Sequence, residues 1–359
     1  MNKDLSSKLD VLLKRGIEDG IFPGAVALVT LKGKVQYQAS FGSSMIRPEK
    51  KAIQYDSIFD LASLTKVVAT TTAALQLIEG GSLSLSDKVS SFFSEFSWDE
   101  GNTKANVEDL MAHTSGFPAH YPFWTSGQSP REAVRVIASF HPSLQMMYEP
   151  GTSEMYSDID YILLGRIVEK VSGQRLDAYC SEKIFEPLGM KDTCFNPDQS
   201  LQKRFVATEI YQDRLCLGTV HDENAYFMGG VSGHAGLFST AGDLMLFTDM
   251  LLGKGALEGK RVLSNAIISQ MLRQRRPAIN GTFGLGWQLN NGRNTGPFGD
   301  VFPVGSFGHT GYTGTMIWMD MPSGLCSILL TNRVHPTRDN VGILRFRRVF
   351  NNVVAGTLL

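Results

Sequence analysis

The spacing of apolar and polar positions along the chain alternates between the two-residue and the three-to-four-residue period, and each switch predicts an element. An amphipathic helix is predicted over about residues 3–19. Phe22-Pro23-Gly24 then leads into a hairpin in which Ala25 to Leu31 pairs with Lys34 to Phe41 across Lys32-Gly33. From about residue 55 helical spacing takes over. Strand patterns return near Gly284 to Leu289, Phe307 to Met319 and Leu325 to Thr331, and a helix over about 340–355 closes the chain. An N-terminal hairpin that must find its partners among C-terminal strands predicts an α+β fold. Its antiparallel sheet comes from the N- and C-terminal segments, is flanked by the terminal helices, and carries the middle of the chain as an inserted all-helical lobe. At 359 residues the chain exceeds the usual size of one core, so the expectation is one unit of two closely packed lobes. The α/β lobe spans about 1–55 and 280–359 and the helix-rich lobe about 56–279. No internal repeat or low-complexity linker interrupts them.

The most apolar helical stretch starts right after Ser63-Leu64-Thr65-Lys66 and runs almost uncharged to Glu79, where Gly80-Gly81 stops it. Serine and lysine three apart at a helix start share one face. There the hydroxyl lies in the positive field of the helix N-terminus, and a lysine whose pKa is lowered by desolvation can take its proton. Ser63 and Lys66 are therefore a candidate nucleophile and base. Ser200-Leu201-Gln202-Lys203 repeats the spacing but follows the turn-rich Asn196-Pro197-Asp198-Gln199 and precedes no long apolar helix. It reads as surface.

Two further motifs follow in order. Tyr156-Ser157-Asp158 stands between the Pro150-Gly151 turn and a helical pattern of Ile159, Ile162, Leu163, Ile167 and Val168, and His309-Thr310-Gly311-Tyr312 leads into the strand-like Met316 to Met319. S-x-x-K, then Y-x-[N or D], then [K or H]-T-G resembles the serine β-lactamase and penicillin-binding-protein superfamily. Phe59-Asp60-Leu61-Ala62, Leu110 to Phe117, Pro187-Leu188-Gly189-Met190 and His234 to Ser239 place the likeness nearest the class C β-lactamase-like branch. The resemblance covers nearly the whole chain.

The resemblance implies a β-lactamase/transpeptidase-like fold and a serine hydrolase in which Ser63 forms an acyl-enzyme while Lys66 and Tyr156 share general-base and general-acid duty. It implies an oxyanion hole made by the backbone N–H groups of Ser63 and Tyr312, with Thr310 and Gly311 lining the substrate. Two departures matter. Many members carry lysine where this chain has His309, a donor that is only partly charged near neutral pH and so a weaker electrostatic drive. Asp158 replaces an asparagine, which removes an amide donor; if ionised it would raise the Lys66 pKa and move base duty toward Tyr156. Both lower the expectation of β-lactam hydrolysis.

Of the remaining candidates, Asp222 or Glu223 in Val220-His221-Asp222-Glu223-Asn224-Ala225 is expected to face the cleft and read a cationic or hydroxyl group. In Asn332-Arg333-Val334-His335-Pro336-Thr337-Arg338, a segment where class C relatives recognise carboxylates, Arg333 is the first choice for a carboxylate fork and Arg338 the second. His113 and His234 read as structural loop residues. The two segments together resemble the serine amidases that cut the bond between N-acetylmuramic acid and the first alanine of muropeptides. A carboxylesterase, a β-lactamase or D-Ala-D-Ala-type peptidase, or a penicillin-binding protein without turnover are the alternatives on the same fold.

Charge and cysteines narrow the class further. With 34 basic against 35 acidic residues and no block of one sign, nothing suggests nucleic acid or an anionic membrane as partner. Met1 to Lys8 mixes charges where a signal peptide needs an apolar core, and no run is long enough to span a membrane, so the expected place is the cytoplasm. Cys180, Cys194, Cys216 and Cys326 are scattered and read as buried thiols, and no H-E-x-x-H is present, so neither a metal nor a cofactor is expected. G-x-S-x-G is also missing: Gly230-Val231-Ser232-Gly233-His234 fails at its last position, which sets aside an α/β-hydrolase.

Overall fold

A computed structural model describes residues 1–93, 104–125, 146–211, 214–293 and 295–359. The first helix, Lys3–Glu18, starts at Asn2, whose side-chain oxygen accepts the Asp4 and Leu5 N–H groups. Its buried stripe of Leu5, Leu9 and Leu13 faces the C-terminal helix Ile343–Leu358. Gly16 continues that stripe where a Cβ would lie 2.6 Å from Phe22 and 2.7 Å from Phe346, so only glycine lets the chain pass there.

The two terminal helices cover one face of a seven-stranded sheet. In spatial order its strands are Gln288–Leu289, Phe307–Thr310, Met316–Asp320, Leu325–Thr331, Gly24–Leu31, Lys34–Met45 and Lys51–Ala52. The first strand pairs antiparallel with the last long one, Ala25 opposite Thr331 through Leu31 opposite Leu325. Alternation sorts their side chains onto two faces. Ala25, Ala27, Val29, Met316, Trp318, Leu325 and Leu329 pack toward the terminal helices. Val26, Leu28, Ile317, Met319, Ile328 and Leu330 join the larger core of the helix-rich region. Strands buried on both faces are largely apolar, which is why Gly24–Leu31 and Leu325–Thr331 read as mostly apolar runs.

Four details depart from the sequence expectation. The strand near 284–289 shrinks to Gln288–Leu289 because Gly286 takes a positive φ of 82° and turns the chain. The 307–319 stretch is two strands joined by a tight turn in which the Gly311 N–H donates to the Thr315 carbonyl at 2.8 Å. The helix after Ser63 opens with a π-helical turn, Lys66–Thr71, before the α-helix Thr72–Glu79. The inserted region is helix-rich but not all-helical: Phe59–Asp60, Leu237–Ser239 and Cys194–Phe195 form a small antiparallel sheet. Strands of two or three residues are too short to show a period.

Candidate active site

The position of Ser63 is set by a short run of strained and pinned backbone. Ala62, just before Ser63, holds a left-handed φ of 45°, a conformation that costs a non-glycine residue energy and persists only where neighbours enforce it. The buried Asp60 carboxylate does so, accepting the Ala62 N–H at 2.8 Å and, from across the fold, the His221 N–H at 2.7 Å. The facing turn is tied to the same strand: Thr313 Oγ1 donates to the Asp60 carbonyl at 2.8 Å and Thr315 Oγ1 to the Leu61 carbonyl at 3.0 Å. Gly311 lies so close that a Cβ there would sit 2.1 Å from Thr315 Oγ1 and 2.3 Å from the Leu61 carbonyl oxygen. Ser63 and Tyr312 thus line one cleft, and neither backbone N–H has a hydrogen-bond acceptor among the described residues. Two unpaired N–H groups beside a serine are what an oxyanion requires.

Lys66 is fully buried and its ammonium donates to three oxygens: Ser63 Oγ at 3.0 Å, Asp158 Oδ1 at 2.7 Å and the His234 carbonyl at 3.1 Å. Burial alone would push Lys66 down, but the Asp158 carboxylate, followed by Tyr156, more than offsets it and holds Lys66 above its ordinary range. The condition stated from the sequence is met, and Lys66 is a cation rather than a free amine. Tyr156 is 37% exposed as a residue, and its phenol interacts with Lys66 and Ser63. Desolvation pushes that phenol up, and the Lys66 charge, 4.9 Å from the ring centroid, works the other way.

His309 differs from expectation. It is buried, and desolvation first, then the Lys66 charge, push it down to about 3, so it is neutral across the physiological range instead of partly charged. Its Nδ1 lies 2.9 Å from the Thr310 carbonyl, an acceptor only, so Nδ1 carries the proton and Nε2 is a bare acceptor. Its ring stands 5.9 Å from that of Tyr156. Thr310 and Gly311 line the same cleft, whose volume is about 540 Å³.

The outlying candidates divide. Arg333 lines the cleft but spends Nε on the Tyr312 carbonyl at 2.7 Å and Nη1 on the Arg338 and Asn340 carbonyls. Arg338 lines it too, with Nε on Glu209 at 2.7 Å and Nη2 on Glu223 at 2.8 Å, so two carboxylates already occupy its fork. Asp222 is spoken for as well. It caps the helix Glu223–Phe227 through the Ala225 N–H and pairs with His234 Nε2 at 2.8 Å. Ser200 sits exposed in the short helix Gln199–Arg204, away from the cleft-lining residues.

Three ligand atoms of Asp158, Asp222 and His234 lie within 4.8 Å of one another, a spacing that could hold a metal ion. The Lys66 ammonium on Asp158 and the His234 bond to Asp222 already satisfy that charge from within the chain.

Two residues near the cleft, Arg347 and His120, escaped the sequence reading, and His113, read as structural, proves to touch Tyr156. Arg347 lines the cleft and donates Nη2 to the Gly311 and Thr315 carbonyls at 2.6 and 2.8 Å, and burial followed by the Arg333 charge pushes it down to about 9. Its signal was present: in Ile343, Phe346, Arg347, Phe350 and Val354 it is the one charge on a buried helical stripe. His120 stands 3.8 Å from Asp158, and the nearby carboxylate raises its pKa. His113 lies under Tyr156 with ring centroids 4.6 Å apart, accepts the Ser157 N–H at Nδ1 and is paired with Asp160. Burial holds it well below its usual range.

This is a serine hydrolase on a β-lactamase/transpeptidase-like fold. A profile of the Beta-lactamase family matches residues 9–351, and the chain belongs to that family. It is 34% identical over 361 residues to the N-acetylmuramyl-L-alanine amidase of Bacillus subtilis, covering 91% of this chain and 81% of that one. A protein of Escherichia coli O157:H7 whose name suggests a D-alanyl-D-alanine carboxypeptidase is 32% identical, covering 93% and 83%. Among solved structures, EstCE1, a hydrolase with promiscuous acyltransferase activity, superposes with a TM-score of 0.78 at 21% identity, covering 99% of both chains. A LovD6 mutant of simvastatin synthase from Aspergillus terreus gives 0.75 at 21% identity, covering 99% and 96%.

Proposed function

We propose that the protein is an amidase that cuts the bond between the lactyl group of N-acetylmuramic acid and the first alanine of a muropeptide. Ser63 Oγ attacks the lactyl carbonyl carbon and passes its proton to Tyr156 as phenolate, which the retained Lys66 cation stabilises. The Ser63 and Tyr312 N–H groups take the oxyanion. Tyr156 returns the proton to the departing alanine nitrogen, and water then releases the sugar acid by the same steps. The observation that carries the reading is the pair Arg333 and Arg347, two guanidinium groups that meet no carboxylate among the described residues and line the cleft with Ser63. They suit an amide substrate with a carboxylate on its leaving side. The B. subtilis relative's name supports the same substrate.

The two lobes, about 1–55 with 280–359 and about 56–279, form one catalytic unit with the cleft between them. The reading places the enzyme in the cytoplasm, recycling imported wall fragments. Four cysteines without a disulfide support a reducing compartment, and no helix among the described residues is long and apolar enough to cross a membrane.

The test incubates the enzyme with N-acetylmuramyl-L-alanyl-D-isoglutamine and looks for free N-acetylmuramic acid by mass spectrometry. Release of the sugar is expected. A second reading, a carboxylesterase, is favoured by the neutral His309, which supplies no cation beside the nucleophile. Ready cleavage of short-chain esters with no sugar released would replace the first reading with the second.

A further inference from the structure

A second cavity of about 450 Å³ is lined by Trp124, Tyr211, Arg214, Glu223, Tyr226 and Phe227. It lies within the range of small-molecule sites. Four of the six lining residues are aromatic. The charged groups are Arg214, whose guanidinium stacks 4.0 Å over the Tyr226 ring, and the Glu223 carboxylate. Such walls suit a ring with flat C–H faces and polar edges better than a plain hydrocarbon, which would bring no polar group to the Arg214 guanidinium.

The cavity is joined to the catalytic cleft by two routes. Glu223 on its wall holds Arg338 on the cleft wall at 2.8 Å, and Arg338 also reaches the Tyr211 ring at 5.5 Å. On the other side the Trp124 ring lies 5.7 Å from that of His120, which stands 3.8 Å from the Asp158 that holds Lys66. It therefore flanks the Asp158 side of the nucleophile, whereas Arg333 and Arg347 belong to the cleft that Ser63 lines.

We propose that this aromatic cavity is an amino-sugar subsite, which binds the N-acetylhexosamine ring of the acyl group while the peptide's carboxylate lies toward Arg333 and Arg347. The inference rests on the amidase reading for what the ring is attached to. Tyr226 and Trp124 stack on the pyranose faces, and Arg214 and Glu223 meet its hydroxyl and acetamido groups. Binding energy gathered on this remote ring positions the lactyl carbonyl at Ser63.

Two measurements separate the subsite from the reaction. In the first, kcat/KM is measured for wild type, Tyr226→Ala and Trp124→Ala on N-acetylmuramyl-L-alanyl-D-isoglutamine and on p-nitrophenyl acetate, which has no sugar. The muropeptide-to-ester ratio is expected to fall about tenfold in each variant, through KM. In the second, Ser63→Ala and Ser63→Ala/Tyr226→Ala are titrated with N-acetylmuramic acid by calorimetry. Binding is expected in the first and about tenfold weaker in the second. Tyr226 is half exposed, so its loss leaves the fold in place, and matching thermal melts check this. Sugar binding sensitive to Tyr226 without amide cleavage sinks the amidase and keeps the subsite. Amide cleavage with an unchanged ratio in both variants sinks the subsite and keeps the amidase. A loss seen on p-nitrophenyl hexanoate but not on N-acetylmuramic acid assigns the cavity to an apolar acyl chain and also overturns the proposal.

Discussion

In the proposed mechanism Lys66 is the residue on which the chemistry turns, because the same Asp158 oxygen that orders it also keeps it charged. A protonated Lys66 cannot take the Ser63 proton; it can only make the neighbouring phenolate easier to form. Burial raises the Tyr156 pKa, so its phenolate fraction grows as pH rises, and kcat/KM is expected to climb through pH 8 and above. His309, neutral at every pH well above about 3, contributes no inflection between pH 5 and 8, and a pH–rate profile with a titration there that vanished in His309→Asn would contradict this assignment. Asp158→Asn removes the charge that opposes desolvation, so the Lys66 pKa drops and the amine becomes a usable base. The alkaline rise is then expected to move to lower pH by about one unit or more, read from the same profile. Ser63→Ala should cost at least about 10⁴-fold in kcat on any ester or amide, whereas Ser200→Ala, on an exposed helix, should cost nothing measurable.

At the scale of elements, the turn 311–315 and the strand leading to Ser63 form one device. Asp60, Thr313, Thr315 and Arg347 fix its four sides, and the Gly311 approach leaves no room for a methyl group. Gly311→Ala must shift backbone, since the obstructing atoms include the Leu61 carbonyl oxygen. The expected result is a loss of about a hundredfold in kcat, from a displaced Tyr312 N–H, together with ~1–3 kcal/mol of stability, measured by ester hydrolysis and by urea unfolding. If activity survived while stability fell, the Tyr312 N–H would not be the oxyanion donor. Much of this device was legible in the chain as Ser63, Lys66 and His309-Thr310-Gly311. Its fastening was not, because Asp60 with His221 and Arg347 with Gly311 meet only across the fold.

For the whole molecule, the decisive feature is that the sheet closes through the two chain ends. The strand Gly24–Leu31 has Leu325–Thr331 as one neighbour, and the helix Lys3–Glu18 buries its stripe against Ile343–Leu358. A chain stopped at residue 342 would expose Leu5, Leu9, Leu13 and the outer face of the sheet at once. It is expected to aggregate or bind a hydrophobic dye instead of folding, read by gel filtration and dye fluorescence. A well-folded monomer from that chain would show that the terminal helices are accessory.

By itself the sequence determined the class of fold, through an N-terminal hairpin and C-terminal strands whose apolar runs needed each other, and the order of three motifs that placed Ser63, Lys66, Tyr156 and His309. Those are local patterns, carried by spacing along the chain. Protonation and pairing were decided only by tertiary structure. Lys66 is held charged by a carboxylate 92 positions away, His309 is neutral because it is buried beside that cation, and the Arg338 fork was already filled by Glu209 and Glu223. Charge state depends on desolvation and on neighbours in space, and neither quantity exists until the chain has folded.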